Sequence, residues 1–309
     1  MNNNSALNPN IVKTALDKVF FPIFNGDMHP GLVTAESSAV FNQETTDKAA
    51  EIAEIFKGSG LWDQRAEEQD VPQGQFQVGN TKTFTVTNFA KSLDVSKNLF
   101  DDDQFNVINK AVEDMARKGR MTRDKNAFAV YRNAFTTALT ADGATLVSDS
   151  HTTLGGFTVD NKMTAALSES SLNDAIVMLV EQLSQDGVIS GSMPKTLVVP
   201  PKLFKLACEI TESELRSGTG NNDENVYSTK YNIEVAMSPW LGAAAGGSDT
   251  AWFLIGDNHT ITRWVRQDMK TDIVDYKYQR NNNYIYKGEY REVVGAMDYV
   301  GVVGSDGTA

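Results

Sequence analysis

The sequence has one cysteine, Cys208, and three histidines, His29, His151 and His259. A single cysteine excludes a framework of intrachain disulfides, and the histidines are too far apart to match the ligand spacing of a zinc site. The glycine-rich phosphate loops of nucleotide-binding enzymes and the Gly-x-Ser-x-Gly elbow of serine hydrolases are also missing. We therefore expect no catalytic residue, no metal and no cofactor.

Basic residues are few, since 28 Lys and Arg stand against 40 Asp and Glu, a formal net charge of −12. Affinity for phosphate comes mainly from Lys and Arg, so this balance argues against a dedicated nucleic-acid-binding protein. No run approaches the ~20 apolar residues of a membrane span, and the first residues lack the basic-then-apolar pattern of a signal peptide. A chain of 309 residues, 41% of them hydrophobic, can bury a large core, and we expect two lobes.

Residues 101–139 predict one long helix. Asp101, Asp102 and Asp103 supply acceptors and negative charge where the first N–H groups of a helix lack partners. Apolar residues then recur at three- and four-residue steps, which places them on one face. Gly119 weakens the pattern and leaves a bend or break open at this point. At 1.5 Å per residue the helix would be roughly 50–60 Å long, which is more than a compact domain of this size needs.

Near the amino terminus, residues 11–24 form an amphipathic and strongly apolar segment interrupted by a proline. Two interpretations fit it equally well: an arm that covers a neighbouring surface, or an N-terminal helix folded back on its own domain. In the first interpretation the apolar side chains become buried only on assembly. The residues that we expect to make these contacts are Val12, Leu16, Phe20 and Phe24.

The following stretch combines a helical pattern with strand-like alternation. Residues 47–56 predict a short helix, and residues 61–100 predict a long hairpin with a polar, turn-rich centre. The hairpin has too few apolar residues for a core of its own, and isolated two-stranded hairpins are marginal in water. We therefore expect it to lie against another surface. The expected contact residues are Gln75, Phe76, Lys82 and Phe84.

The second half of the chain predicts a mixed lobe of helices and strands. Residues 172–183 predict an amphipathic helix capped by Ser170 or Ser171, and residues 196–199 predict a short strand. Two prolines end this strand and start the next helix, because proline is favoured in a first helical turn. Cys208 falls on the apolar side of that helix, which indicates a structural thiol rather than a nucleophile.

The carboxyl-terminal part predicts a sheet. Residues 251–255 are nearly all apolar, which indicates a central strand buried on both faces. Apolar and polar residues then alternate over residues 261–299, with residues 281–283 as a hairpin turn. We therefore expect the carboxyl-terminal region to form a sheet that completes the fold.

His151 is the residue around which an enzyme could be built, with Ser148, Asp149 and Ser150 beside it. Neighbours in sequence do not form a triad, however, because nucleophile, base and acid must converge from separate segments. We expect a loop histidine that holds its turn, and no enzyme. A hydrolase that uses His151 stays as the alternative from another class of protein.

The order of these parts along the chain carries more information than any one of them. The motifs in that order are Asp101-Asp102-Asp103, Arg132-Asn133-Ala134-Phe135, Asp142-Gly143 with Leu146, Ser150-His151, Leu197-Val198-Val199-Pro200-Pro201, Asn225, Ser238-Pro239-Trp240-Leu241 and Trp252-Phe253-Leu254. Together they resemble the major capsid proteins of tailed bacteriophages, which have the HK-ninety-seven-like fold, and in particular the Mu-like major head subunit group. Within these motifs, Asn225 and Trp240 are the remaining residues expected at assembly contacts.

The resemblance implies an α+β subunit with four parts. These are an N-arm (residues 1–57), an extended hairpin loop (58–99), a peripheral domain that holds the long spine helix (100–166 and 257–309), and an axial domain (167–256). The axial domain would meet its copies around five- and six-fold axes.

The same resemblance implies a structural protein of the virion. It would assemble with itself, as hexamers and pentamers, into the icosahedral head that encloses double-stranded DNA, without binding that DNA specifically. A separate scaffolding protein and a portal are the other implied partners, assembly would take place in the host cytoplasm, and no membrane is involved. The alternative within the same fold is an encapsulin-type compartment, which holds cargo protein instead of DNA.

Overall fold

The computed structural model describes residues 9–26, 32–74, 76–96, 98, 107–213, 225–274 and 283–308. The helices are α1 (Pro9–Asn25), α2 (Val107–Ala127), α3 (Ala129–Arg132), α4 (Glu169–Val180) and α5 (Pro201–Thr211). The strands are β1 (Asn42–Thr45), β2 (Ala50–Lys57), β3 (Gln77–Thr85), β4 (Thr87–Ser96), β5 (His151–Thr152), β6 (Thr158–Val159), β7 (Lys162–Met163), β8 (Pro194–Val199), β9 (Glu234–Met237), β10 (Trp252–Gly256), β11 (Ile261–Val274), β12 (Asn283–Ala296) and β13 (Val302–Ser305).

Strand β10 lies at the centre of a five-stranded sheet with the order β7-β13-β10-β8-β9. Successive side chains of a strand point to opposite faces. Trp252 and Leu254 accordingly pack with α4 and α5 in one core, whereas Phe253 and Ile255 pack with the residues around α3 in another. The expected central strand, buried on both faces, is therefore confirmed.

The second sheet has four strands in the order β1-β11-β12-β4. Strands β11 and β12 are antiparallel and 14 residues long each. The expected closing sheet at the carboxyl-terminal end is thus confirmed, while residues 281 and 282 of its expected turn lie outside the described residues. Strand β4 pairs with the free edge of β12, and α1 and α2 pack beside this sheet.

The long helix is shorter than the sequence indicates. Helix α2 has 21 residues, or about 32 Å, and it runs through Gly119 without a break. After Phe128 the short helix α3 follows, and helical hydrogen bonds continue to Asn133. Phe128, Tyr131 and Ala134 are fully buried in the core between the two sheets. The expected cap at residues 101–103 lies outside the described residues.

Gly119 marks a contact between helices rather than a bend. A Cβ atom at this position would lie 3.2 Å from Cε2 of Phe24 on α1, closer than most packed carbon atoms. The missing side chain therefore lets α1 approach α2.

Helix α1 folds back on its own subunit. Val12, Leu16, Phe20 and Phe24 recur every four residues and are only 3%, 5%, 1% and 1% exposed in the single chain. They form a core with α2 and the long strands of the four-stranded sheet. The expectation that these four side chains become buried only on assembly is therefore wrong, and the alternative of a folded-back helix describes the structure.

Residues 47–56 do not form the predicted helix. Residues 50–57 are strand β2, which pairs antiparallel with β3 from Ala50↔Thr85 to Lys57↔Gln77. The hairpin thus uses a strand that precedes the predicted one, and β4 joins the four-stranded sheet instead. A short apolar run fits helical and strand periods alike, and here the long-range pairing decides between them.

Of two predicted details of the mixed lobe, one is confirmed and one is wrong. Helix α5 begins at Pro201 as expected. The cap of α4 is Ser168 rather than Ser170 or Ser171, because the Ser168 side chain accepts the Ser171 N–H while the Ser171 hydroxyl accepts the Ser168 N–H. These two hydrogen bonds satisfy backbone N–H groups at the start of α4 that have no partner within the helix.

Shortening Phe20 to alanine should destabilise the isolated subunit. Removing a fully buried phenylalanine ring costs about 3–5 kcal/mol of unfolding free energy, because the cavity does not close completely. Urea unfolding of unassembled subunits would measure this. Lys18→Ala on the exposed side of α1 is the matched control, and we expect it to change the unfolding free energy little. Equal stability of the two variants would show that α1 is not part of the core.

Candidate assembly surface

Strands β2 and β3, with the connection formed by residues 58–76, make a two-stranded extension that we call the ribbon. Its base is anchored on the four-stranded sheet. The ring of Phe84 stacks on Trp264 with 4.8 Å between the ring centroids, and a Cβ atom at Gly295 would overlap that ring. Ala53 belongs to the same small core. Phe84, expected at an assembly contact, thus anchors the ribbon within its own chain.

One edge of the ribbon runs along two loops of its own subunit. The Lys82 ammonium donates to the Leu139 carbonyl. Burial lowers the pKa of this amine, and the negative charge of Asp142 opposes that effect. Further along, Gly79 packs closely on Leu154, where a side chain would clash. These contacts fix the direction of the ribbon in the single subunit.

The other face of the ribbon exposes large apolar side chains. The rings of Phe56 and Phe76 lie 5.4 Å apart, and Val78 pairs across the strands with Phe56. Of the fifteen large hydrophobic side chains exposed among the described residues, seven lie on the ribbon: Ile52, Phe56, Leu61, Trp62, Val71, Phe76 and Val78. A concentration of this kind is typical of a surface that another molecule covers.

The remaining expected contact residues lie in different surroundings. Asn225 is buried, donates to the Ile210 carbonyl over 2.7 Å and accepts the Tyr227 N–H over 3.0 Å, so it braces the end of α5 within the subunit. Trp240 is half-buried against the core. Gln75 lies outside the described residues. Contacts of these residues with another subunit stay a prediction.

His151 is completely buried and lies in a polar network. Its Nδ1 is 2.7 Å from Oδ2 of Asp142, its Nε2 is 3.2 Å from Oδ1 of Asn161, and its ring stacks on Tyr299 with 4.4 Å between centroids. The Asn161 amide donates to two backbone carbonyls, which leaves its oxygen as the acceptor. The His151 ring thus lies between two acceptors, the Asp142 carboxylate and the Asn161 amide oxygen.

The His151–Asp142 pair has the geometry of a structural contact rather than of a catalytic one. In the part of the chain that the structure describes, neither ring nitrogen of His151 contacts a hydroxyl or a thiol that could act as a nucleophile. Burial raises the pKa of Asp142. Hydrogen bonds from His151 and Thr140 act in the opposite direction and outweigh burial, so this pKa lies below its usual value. The histidine therefore holds the Asp142-Gly143 turn, as the sequence indicates, and the hydrolase alternative gains no support.

A buried ion pair joins strands β11 and β12 of the four-stranded sheet. Arg263 contacts Glu292 through Nη2 at 2.6 Å and through Nε at 2.8 Å. Burial raises the pKa of Glu292, whereas the charge of Arg263 lowers it. Gln43 of β1 accepts a further hydrogen bond from Arg263 at 2.9 Å, which ties β1 to the sheet. This cluster, too, serves the fold.

A family model described as phage capsid protein matches residues 79–305, which is most of the chain. The chain belongs to the phage capsid protein family. No curated protein matches it. Membership of this family agrees with the exposed apolar face of the ribbon. It also favours a phage head over the encapsulin-type compartment that holds cargo protein.

Solved structures show the same fold as this capsid protein. The capsid of the cyanophage P-SCSP1u aligns with a TM-score of 0.58 at 10% identity, covering 94% of this chain and 93% of that one. A structure from Microbacterium phage Oxtober96 gives 0.57 at 11% identity over 91% and 93%. A virus-like particle from Pyrococcus furiosus gives 0.53 at 11% identity over 94% and 98%.

The comparisons confirm the predicted α+β, HK-ninety-seven-like fold and the resemblance to tailed-phage capsid proteins. They do not show that the chain belongs to the Mu-like subgroup, so this membership stays a prediction. Among the described helices, none combines the length and the apolar character that crossing a bilayer requires.

Sequence reasoning missed the apolar residues of the ribbon connection. Leu61 and Trp62 are adjacent, and a mostly polar and charged stretch separates them from Val71, so no periodicity draws attention to these three residues. A tryptophan in an acidic, turn-rich stretch is nevertheless a usable signal, because such a stretch has no core in which to bury it.

The buried pair should make the subunit sensitive to acid. The folded-state pKa of Asp142 lies below the unfolded value of about 3.9. Its contribution to stability is therefore present above that value and is lost as the pH falls through the folded-state pKa. Asp142→Asn should cost about 1.5–3 kcal/mol at pH 7 and should show a smaller further loss between pH ~5 and ~3 than the wild type.

Urea unfolding of subunits at both ends of that pH range would measure this. The control is Asp149→Asn, which removes an exposed carboxylate from the same loop. Parallel acid profiles for Asp142→Asn and the wild type would contradict the stabilising role of the Asp142–His151 pair.

Proposed function

We propose that this capsid protein is the major head subunit of a tailed bacteriophage, of the Mu-like group, and that its copies close into an icosahedral shell of pentamers and hexamers around packaged double-stranded DNA. The observation that carries the proposal is the match of the capsid family to most of the chain, together with an apolar ribbon face that the subunit itself leaves uncovered. The resemblance adds a separate scaffolding protein, a portal and assembly in the host cytoplasm.

The two sheets suggest how the subunit is divided. The peripheral domain (100–166 and 257–309) would contain α2 and the long strands of the four-stranded sheet, and the axial domain (167–256) would contain α4 and α5 with most of the five-stranded sheet. Strand β13 belongs by sequence to the first domain but pairs with β10 in the five-stranded sheet. The carboxyl-terminal segment would therefore fasten the two domains together.

The ribbon supplies the free energy that such an assembly needs. Each fully buried large apolar side chain contributes roughly 1.5–3 kcal/mol, and Ile52, Phe56, Phe76 and Val78 are all exposed in the subunit. Their burial against a neighbour would give several kcal/mol per contact, less the cost of immobilising both surfaces. Because every subunit repeats the same contact, a modest free energy per contact decides whether a closed shell persists.

Replacing Phe56 and Phe76 by threonine should abolish closed shells without unfolding the subunit. Threonine keeps the strand preference, and both rings are exposed, so the thermal unfolding temperature should change little. Electron microscopy and sedimentation of the purified protein would report particles. Phe84→Ala is the contrasting variant, since it removes the buried anchor and should lower the unfolding temperature. Normal shells from the double threonine variant would overturn the role of the ribbon face.

Empty shells should bind free DNA negligibly at moderate salt. The net charge of −12 per subunit gives a wall that repels phosphate at short range, since such charges are screened beyond ~8–10 Å at physiological salt. A gel-shift titration of shells with linear duplex DNA would test this. Tight binding that weakens steeply with added salt would contradict it, and particles filled with protein instead of DNA would favour the compartment of the same fold.

A further inference from the structure

Three polar side chains meet in the layer between α2 and β12. Arg123 lies on α2, while Tyr290 and Glu292 lie two residues apart on β12 and therefore point to the same face of that strand. Their exposed fractions are 5%, 5% and 2%, so all three are more than nine-tenths buried. Cζ of Arg123 is 5.9 Å from the centre of the Tyr290 ring, which places these groups in the same part of the interior.

Each of the three side chains has one buried polar atom without a hydrogen-bond partner among the described residues. These atoms are Nε of Arg123, the hydroxyl oxygen of Tyr290 and Oε1 of Glu292. Neighbouring atoms of the same groups are engaged, since Nη1 of Arg123 contacts Glu36 and Oε2 of Glu292 contacts Arg263. Roughly nine in ten buried polar groups in proteins are paired, because an unpaired one keeps the full cost of its lost hydration. Three unpaired atoms in one layer therefore point to a bound polar molecule.

The chemistry of these atoms selects the class of ligand. Nε of Arg123 carries a hydrogen and can only donate, whereas the carboxylate oxygen of Glu292 can only accept. Burial raises the pKa of the Tyr290 hydroxyl, which therefore keeps its proton and can donate or accept. An anion would be repelled by Glu292, and a cation would be repelled by Arg123 and Arg263. A small neutral molecule that both donates and accepts satisfies all three atoms, and water is the smallest of that kind.

The surroundings meet the other requirements of a buried water site. Such a water typically makes about three hydrogen bonds to groups that otherwise lack partners, which matches the three unpaired atoms. A cavity of about 590 Å³ between α1, α2 and β4 is lined in part by Tyr290. This cavity gives solvent a route to the layer.

We propose that an ordered water molecule is bound between α2 and β12, where it accepts the Nε–H of Arg123, donates to Oε1 of Glu292 and bonds the Tyr290 hydroxyl. The water fastens the helix to the long strand within a single subunit. The inference does not depend on the proposed shell function, because all three side chains belong to one chain.

A map that resolves ordered water tests the site directly, either from crystals of the unassembled subunit or from particles. We expect one density peak at hydrogen-bond distance, roughly 2.5–3.2 Å, from all three atoms. A layer without that peak, or one in which the three side chains bond one another directly, would overturn the proposal.

Tyr290→Phe distinguishes a hydrated hydroxyl from an unpaired one, because it removes the oxygen and keeps the ring. If the hydroxyl bonds the water, urea unfolding of subunits should show an unfolding equilibrium constant about fivefold higher than that of the wild type. Removing an unpaired hydroxyl would instead leave this constant unchanged or lower it, and either result contradicts the water site. The matched reference is Tyr286→Phe on the same strand, which removes a hydroxyl that donates directly to Asp17 over 2.8 Å and should act in the same direction.

A double-mutant cycle tests whether Tyr290 and Arg123 share one partner. Arg123→Lys keeps the positive charge and removes the Nε–H. Because either single change breaks the water bridge, Tyr290→Phe should raise the unfolding constant much less in the Arg123→Lys background than in the wild type. The control cycle combines Arg123→Lys with Tyr286→Phe, whose effects should be additive because Tyr286 bonds Asp17 instead. Additive effects in both cycles, or equal coupling in both, would overturn the shared water.

Discussion

The burial of β10 on both faces is the constraint on which the rest of the subunit depends. Trp252 and Leu254 face the core under α4 and α5, while Phe253 and Ile255 face the core that Phe128 and others close. One strand therefore belongs to two cores, and every element that packs on either core is positioned relative to it. The chain that leaves β10 forms the long sheet against which α1 and α2 pack.

This arrangement separates folding from assembly. The ribbon is held at its base by Phe84 between Trp264 and Gly295, so its position does not depend on a neighbour. Its apolar outer face and its tip remain uncovered. In the proposed function, such a subunit folds before it meets its copies, and burial of the exposed face then drives assembly.

Buried polar groups also stabilise the single subunit. The pair of His151 and Asp142 joins two ends of one loop region, whereas the pair of Arg263 and Glu292 joins strands β11 and β12, and both pairs form within the subunit. Charge on the surface is distributed differently. The net charge of −12 conceals several exposed basic residues on α2 and a mainly acidic ribbon connection.

The sequence by itself determined the elements whose patterns are strong and local: the apolar run of β10, the alternation of β11 and β12, the amphipathic α4, the start of α5 at Pro201, and the order of parts that indicates a capsid protein. Tertiary structure decided the rest. Residues 50–57 became a strand because β3 pairs with them, α2 ended where Phe128 enters the core, and α1 docked on its own subunit. Local periodicity depends on neighbours in sequence, whereas pairing, docking and helix length depend on partners that are far away along the chain.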